Sequence, residues 1–245
     1  MDICSHDITG LRPAIPPIQR IYRTCRMPSL CIRYARLTVL CAAHQTTIFD
    51  KMADEMLGNA ERSEIARLWE RKLDQDARGL PQAERHRNLE PPSAEFICAL
   101  AAGVGARRIL EIGGSSGIST IALAAAARHT GGRLVSIEIE PPRQAQARET
   151  LARLGLHTFV DFVLEDTAAV LPRQADLDFA LIDCEKGDYV RFFDLLRMRT
   201  GAIVVADNII SHDLKDYVEH VRSLPGVESI TLAVGKGLEV TRVRL

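Results

Sequence analysis

From Arg107 onward the chain alternates short apolar runs with stretches whose apolar residues recur every three or four positions. The runs read as buried strands at 109–112, 134–138, 159–164, 179–183 and 202–206, with two more at 229–234 and 239–243. Helical periodicity falls at 117–129, 142–154, 187–198 and 213–223. Such alternation predicts an α/β fold, a doubly wound and mostly parallel seven-stranded sheet with helices on both faces. Only Gly235-Lys236-Gly237 separates the last two strands, so they are expected to form a hairpin and an antiparallel C-terminal edge. Ligands of such sheets bind beyond the carboxyl ends of the strands.

Upstream, residues 60–78 carry Ile65, Leu68, Trp69 and Leu73 at helical spacing, and Gly79-Leu80-Pro81 ends the helix. Its apolar stripe is expected to pack on the domain or on a second subunit, which keeps a homodimer among the expectations. A lid over the substrate is the alternative. Ser93 reads as the cap of a second helix running to Gly103, with Phe96, Ile97 and Leu100 toward the core. The first fifty residues differ. No acidic residue stands between Asp7 and Asp50, while Arg12, Arg20, Arg23, Arg26, Arg33 and Arg36 add positive charge. That composition suits a targeting segment, but Pro13, Pro16, Pro17 and Pro28 break a continuous amphipathic helix. The expected organisation is a leader at 1–51, disordered or dispensable, and a working domain at 52–245 with N-terminal helices at 60–103.

Composition narrows the partners. A chain of 245 residues with 47% hydrophobic content fits one α/β domain and an appendage. Its net charge of -1 gives no reason to expect nucleic acid. No apolar run approaches the roughly 18 residues of a membrane span. The six cysteines contain no C-x-x-C pair and read as reduced thiols of a cytoplasmic protein.

The candidate chemistry begins at Glu111, where the first strand runs into Gly113-Gly114-Ser115-Ser116-Gly117 and then a helix. Free N–H groups at that helix start suit a ligand. A dinucleotide fingerprint would place a glycine where Ser115 stands, which weakens an NAD reading and leaves it open. Glu138 and Glu140 end the second strand. We favour Glu138 as acceptor for ribose hydroxyls, a role that serves NAD and S-adenosylmethionine alike. Asp166, after the third strand, suits an adenine amino group or a helix N-cap equally. The fourth and fifth strands each end in a carboxylate, Asp183 and Asp207, with Asn208 next to the second and Lys186 three residues after the first. If these strands are neighbours, the three oxygen ligands converge, and a set without histidine suits Mg²⁺ before Zn²⁺.

Together Glu111-x-Gly113-x-x-x-Gly117-x-Ser119-Thr120, Ser136-Ile137-Glu138, Asp183-x-x-Lys186-x-x-Tyr189 and Val205-Ala206-Asp207-Asn208 resemble the cation-dependent class I S-adenosylmethionine O-methyltransferases. This Rossmann-like group includes catechol and caffeoyl-CoA enzymes and small bacterial relatives, and the resemblance spans about 85–245. It implies that Asp183, Asp207 and Asn208 bind Mg²⁺ or another divalent cation and that Lys186 is the general base. It also implies S-adenosylmethionine contacts at Leu89, Glu111, Gly113, Ser119, Glu138, Asp166 and Asp183. The implied reaction is methyl transfer to a hydroxyl of a small catechol-like or vicinal-dihydroxy acceptor. Competing readings are a metal-independent small-molecule methyltransferase, an NAD-dependent oxidoreductase and a non-catalytic S-adenosylmethionine-binding protein. Glu239 stands where catechol enzymes place a hydroxyl-binding glutamate. Ile118, Gly114 and Cys184 depart from the Tyr, Thr and Ala or His of relatives, and Cys184 reads as a small packing residue or a thiol lining the site. Aromatic content of 5% leaves few rings to sandwich a substrate. The histidines, His212 included, are read as non-catalytic.

Overall fold

The seven apolar runs become β1 (Arg108–Ile112), β2 (Arg133–Glu138), β3 (Val160–Leu164), β4 (Leu177–Ile182), β5 (Met198–Ala206), β6 (Val227–Leu232) and β7 (Leu238–Val243). They pair into one sheet of order β3-β2-β1-β4-β5-β7-β6. The first five strands are parallel, and β7 runs antiparallel to both β5 and β6. The predicted architecture is the observed one. This computed structural model describes residues 56–81 and 84–244. The expected leader at 1–51 lies outside the described residues, and the chain divides into units Met1–Ile48 and Phe49–Leu245.

Interior strands are apolar on both faces because helices cover both faces. In β5, Ile203 and Val205 join one core layer while Val204 and Ala206 join the other. The first layer packs under α1 (Asn59–Ala77), α2 (Pro91–Gly103) and α3 (Ile118–Thr130). The second packs under α6 (Tyr189–Leu195) and α7 (Lys215–Ser223). Two further helices, α4 (Pro141–Arg153) and the short α5 (Thr167–Val170), complete the wrap.

Three local expectations change. Ser93 does not cap α2. The helix starts at Pro91, whose missing N–H costs nothing in the first turn, and Ser93 is buried inside it. The helix expected at 187–198 shrinks to Tyr189–Leu195, preceded by a 3₁₀ turn at Lys186–Asp188, because Met198 already pairs with Leu177 on β4. Of the α1 stripe, Ile65 and Leu68 enter the core of this same domain, whereas Leu73 is exposed. An ion pair from Arg128 of α3 to Glu61 (2.8 Å) ties α1 down.

Pairing continues one residue past the strand ends. Gly113 N–H donates to Ile137 O (2.9 Å), Asp183 N–H to Ile112 O (3.0 Å) and Asp207 N–H to Ile182 O (3.1 Å). The parallel ladder thus lines up Gly113, Asp183 and Asp207 along one rim, where β1 and β4 diverge to opposite sides of the sheet.

Candidate active site

The turn after β1 is built by close approach. Gly113 has φ +92°, and a Cβ there would overlap the Asp183 carbonyl oxygen and lie 2.9 Å from its carbon. Gly114 faces inward: a Cβ would meet Ser136 Oγ at 2.6 Å and Glu111 Oε2 at 2.9 Å. Ser136 and Thr120, both donating to Glu111 Oε2, fill the space that a side chain at position 114 would need. Glu111 is wholly buried, and burial raises its pKa despite those hydroxyls. It braces the turn from below.

Above the turn a groove of about 120 Å³ is lined by Gly113, Ser115, Glu138, Asp166, Asp183 and Cys184, among others. Glu138 accepts from the N–H groups of Ser115 (2.8 Å), Ile139 (2.8 Å) and Glu140 (3.0 Å). About four lone-pair positions exist on a carboxylate, so one remains for a ligand hydroxyl. Asp166 both lines the groove and caps α5 through Ala168 N–H (2.9 Å). The cap and a ligand contact are compatible. Cys184 also lines it, with burial pushing its thiol up to about 12, so it stays an uncharged wall.

Beside the groove Asp183, Asp207 and Asn208 meet. Asn208 adopts φ +66°, a left-handed conformation that Asn tolerates. This turns its amide between the carboxylates, donating to Asp183 Oδ1 (2.9 Å) and Asp207 Oδ2 (2.8 Å). Asp207 Oδ1 is buried without a partner among the described residues. Burial first, then the Asp183 charge, pushes the Asp207 carboxyl up to about 7. Burial likewise raises Asp183, opposed by Lys186. Two crowded carboxylates with an orphaned oxygen are a donor set that a hard cation satisfies, and a half-turn of the Asn208 amide adds a third oxygen. The residues fit such an ion. Among the described residues no cluster of three or more His, Cys, Asp or Glu could hold one, and this trio offers three oxygens only with the Asn208 amide counted.

Lys186 stands over this trio. Its ammonium lies 3.3 Å from Asp183 Oδ1 and donates to the Tyr189 hydroxyl at 2.7 Å, which in turn donates to the Asp207 carbonyl at 3.2 Å. Tyr189 is buried and its pKa is raised well above the usual phenol value, so it remains a neutral support.

A second cavity, about 270 Å³, opens on the other side of Asp183, Lys186 and Asn208. Lys72 and Asp76 of α1, the 85–88 stretch before α2, His212, and Lys236 of the β6–β7 turn wall it. None of these was singled out for a role in the site from the sequence, and no local motif marks them. Arg87 borders both cavities, bonds to Glu185 through its side chain and donates its N–H to Ser115 Oγ (3.2 Å). α1 packs on the domain through Ile65 and Leu68, as its apolar stripe led us to expect, and its Lys72 and Asp76 wall the cavity.

Some residues singled out from the sequence do not line the two cavities. Leu89 (1% exposed) belongs to the core and does not border the groove, and Ser119, 3% exposed, sits at the buried start of α3. Ile118 is also core. Glu239 is fully buried at the hairpin, accepting from Arg222 (2.9 Å), Ser229 (2.6 Å) and Thr231. It holds α7 to the hairpin and does not line the cavity that Asp183 borders.

The profile of the O-methyltransferase family matches residues 73–242, and the chain belongs to that family. It is similar to catechol O-methyltransferase of Mycobacterium tuberculosis, 36% identical over 139 residues that cover 55% of this chain and 61% of that protein. Catechol O-methyltransferase of Niastella koreensis is 33% identical over 130 residues, covering 50% and 58% respectively. The chain thus spans about three fifths of the length of these relatives. Among solved structures it resembles the O-methyltransferase TomG of Streptomyces achromogenes, involved in tomaymycin synthesis and determined with S-adenosylmethionine. There the TM-score is 0.62 at 26% identity, covering 73% of this chain and 89% of that one.

Proposed function

We propose that this chain is a divalent-cation-dependent O-methyltransferase that methylates one hydroxyl of a small catechol-like, vicinal-dihydroxy acceptor from S-adenosylmethionine. The observation that carries the reading is the meeting of Asp183, Asp207 and Asn208 between two cavities, with Asp183 bordering both. The groove at Glu138 and Asp166 suits the adenosine of the donor, and the cavity at Lys186 suits the acceptor.

A phenol of pKa about 10 is only about 0.1% ionised at neutral pH, an effective penalty of about 4 kcal/mol for supplying the phenolate. Bound at this site, the donor supplies an electrophilic methyl group and Mg²⁺ supplies Lewis acidity toward the paired hydroxyls. The chain does the rest. Asp183, Asp207 and the Asn208 oxygen would hold the cation, Glu138 and Asp166 would hold the adenosine, and the Gly113 turn leaves the rim open to the donor. Lys186, positioned by Tyr189, would take the hydroxyl proton at Nζ in its unprotonated form, becoming the ammonium that Asp183 pairs. Holding donor and acceptor side by side removes the entropy cost of their encounter.

The test is methyl transfer to a catechol panel with and without EDTA, alongside calorimetry of S-adenosylmethionine against NAD. EDTA should remove turnover, Mg²⁺ should restore it, and only S-adenosylmethionine should bind. Full turnover in EDTA would overturn the metal assignment, and binding of NAD alone would overturn the donor.

A further inference from the structure

The acceptor cavity carries more positive charge than a neutral diol can use. Two of its cations are already matched: Arg87 by Glu185 and Lys186 by Asp183. Lys72 and Arg85 share a single carboxylate, Asp76, with Arg85 at 3.1 Å. The Lys236 side chain, half-buried, makes no hydrogen bond or ion pair among the described residues. Lys72 and Arg85 thus divide one carboxylate, and Lys236, whose charge reaches the Asp183–Asp207 pair that a bound cation would also draw on, has no carboxylate of its own.

Neutral groups on the same wall are also unfilled. His86 is 8% exposed and Asn88 is 6% exposed, yet His86 Nδ1 and Asn88 Nδ2 have no partner among the described residues. Asn88 Oδ1 accepts from Ser116 Oγ (2.9 Å), which fixes the amide and leaves its N–H groups to donate. Buried polar atoms are ordinarily hydrogen-bonded, so two on one wall without partners are positions a ligand can fill. Burial and the charges of Arg71, Arg143 and Arg67 lower the His86 pKa to about 4, so its ring is neutral and available for hydrogen bonding.

We propose that the acceptor is an aromatic acid, a vicinal diol bearing a carboxylate, and that Lys236 with the Lys72–Arg85 pair and Asn88 receives that carboxylate. The inference rests on the methyl-transfer reading of the same site and adds the charge class of the substrate. A cavity of about 270 Å³ is at the small end of ligand pockets, roughly 300–1,000 Å³. It suits one ring with a short acidic substituent.

The experiment compares 3,4-dihydroxybenzoate, 4-methylcatechol and 3,4-dihydroxybenzylamine on the full chain with Mg²⁺ at physiological salt. Both kcat/KM and calorimetric affinity, the latter with S-adenosylhomocysteine present, are read. The benzoate should be preferred over methylcatechol by at least about tenfold, or about 1.4 kcal/mol. Lys236→Gln should cut that ratio several-fold, and Lys236→Glu should move the preference toward the benzylamine. Ratios cancel any general loss of folding or rate, and Lys236 sits on a turn outside both core layers. Equal preference in the unaltered chain, or a ratio indifferent to both substitutions, overturns the proposal. If no diol is methylated, the methyl-transfer reading fails and calorimetry still judges the subsite. Tighter benzoate binding that Lys236→Gln abolishes supports it; equal binding of benzoate and methylcatechol overturns it.

Discussion

Lys186 is where residue type and position can be separated. If Nζ takes the proton, Lys186→Ala should slow methyl transfer by about 10²–10⁴-fold while S-adenosylmethionine affinity stays nearly unchanged. The defect should shrink toward pH 9–10, where more phenolate forms unaided. Lys186→Arg should not rescue, because a guanidinium stays protonated. A near-normal rate in Lys186→Arg at pH 7 would make the group purely electrostatic. His86 offers a stability test. Its pKa falls from 6.5 to about 4 on folding, so the unfolded chain binds more protons between those values. Stability from keeping it neutral is present above pH 6.5 and is lost as pH falls toward 4. Urea titrations at pH 7 and 4.5 should show a smaller acid loss in His86→Gln, and an identical loss would rule the histidine out. Asp183, Asp207 and Lys186 could be read from sequence because each closes or follows an apolar run. Glu239 misled because a short match says nothing about which face of a strand the side chain occupies.

Between elements, two close contacts carry disproportionate weight. Gly113 sits at φ +92° against the Asp183 carbonyl, so Gly113→Ala combines backbone strain with a clash between β1 and β4. A loss of at least about 2 kcal/mol is expected in denaturant unfolding. A loss under 0.5 kcal/mol would mean the rim yields easily. At the other edge, Arg222→Ala would strand the buried Glu239, leaving only Ser229 and Thr231 hydroxyls as donors. Glu239 is buried but Arg222 is half-exposed, so the expected loss is that of a buried acceptor left short of a donor, about 1–3 kcal/mol, and thermal denaturation of Arg222→Ala should show it. The double change Arg222→Met with Glu239→Leu should recover part of that loss. Helix 187–198 shows the limit of pattern at this scale: an apolar period continued to Met198, but pairing to Leu177 on β4 claimed that residue for a strand.

For the molecule as a whole, the family match runs over 73–242 and the candidate site draws on residues 72–236. We therefore expect a chain beginning at Met52 to keep its thermal midpoint and its methyl-transfer rate within twofold, compared by calorimetry and initial rates. Loss of folding or activity on that truncation would place the first fifty residues within the working structure. The alternation of buried runs with amphipathic stretches was enough to set the sheet, its helical layers and its antiparallel edge, because strand burial is written in consecutive residues. The Asp183, Asp207 and Asn208 trio and the glycine turn were legible for the same reason, each lying where a strand stops. The second cavity was not. Lys72, Arg85, His86, Asn88 and Lys236 come from a helix, a loop and a distant turn, with nothing local to link them. Only packing α1 and the β6–β7 turn around the rim of β4 and β5 concentrates their charge, and charge concentration depends on distances in space that no spacing along the chain encodes.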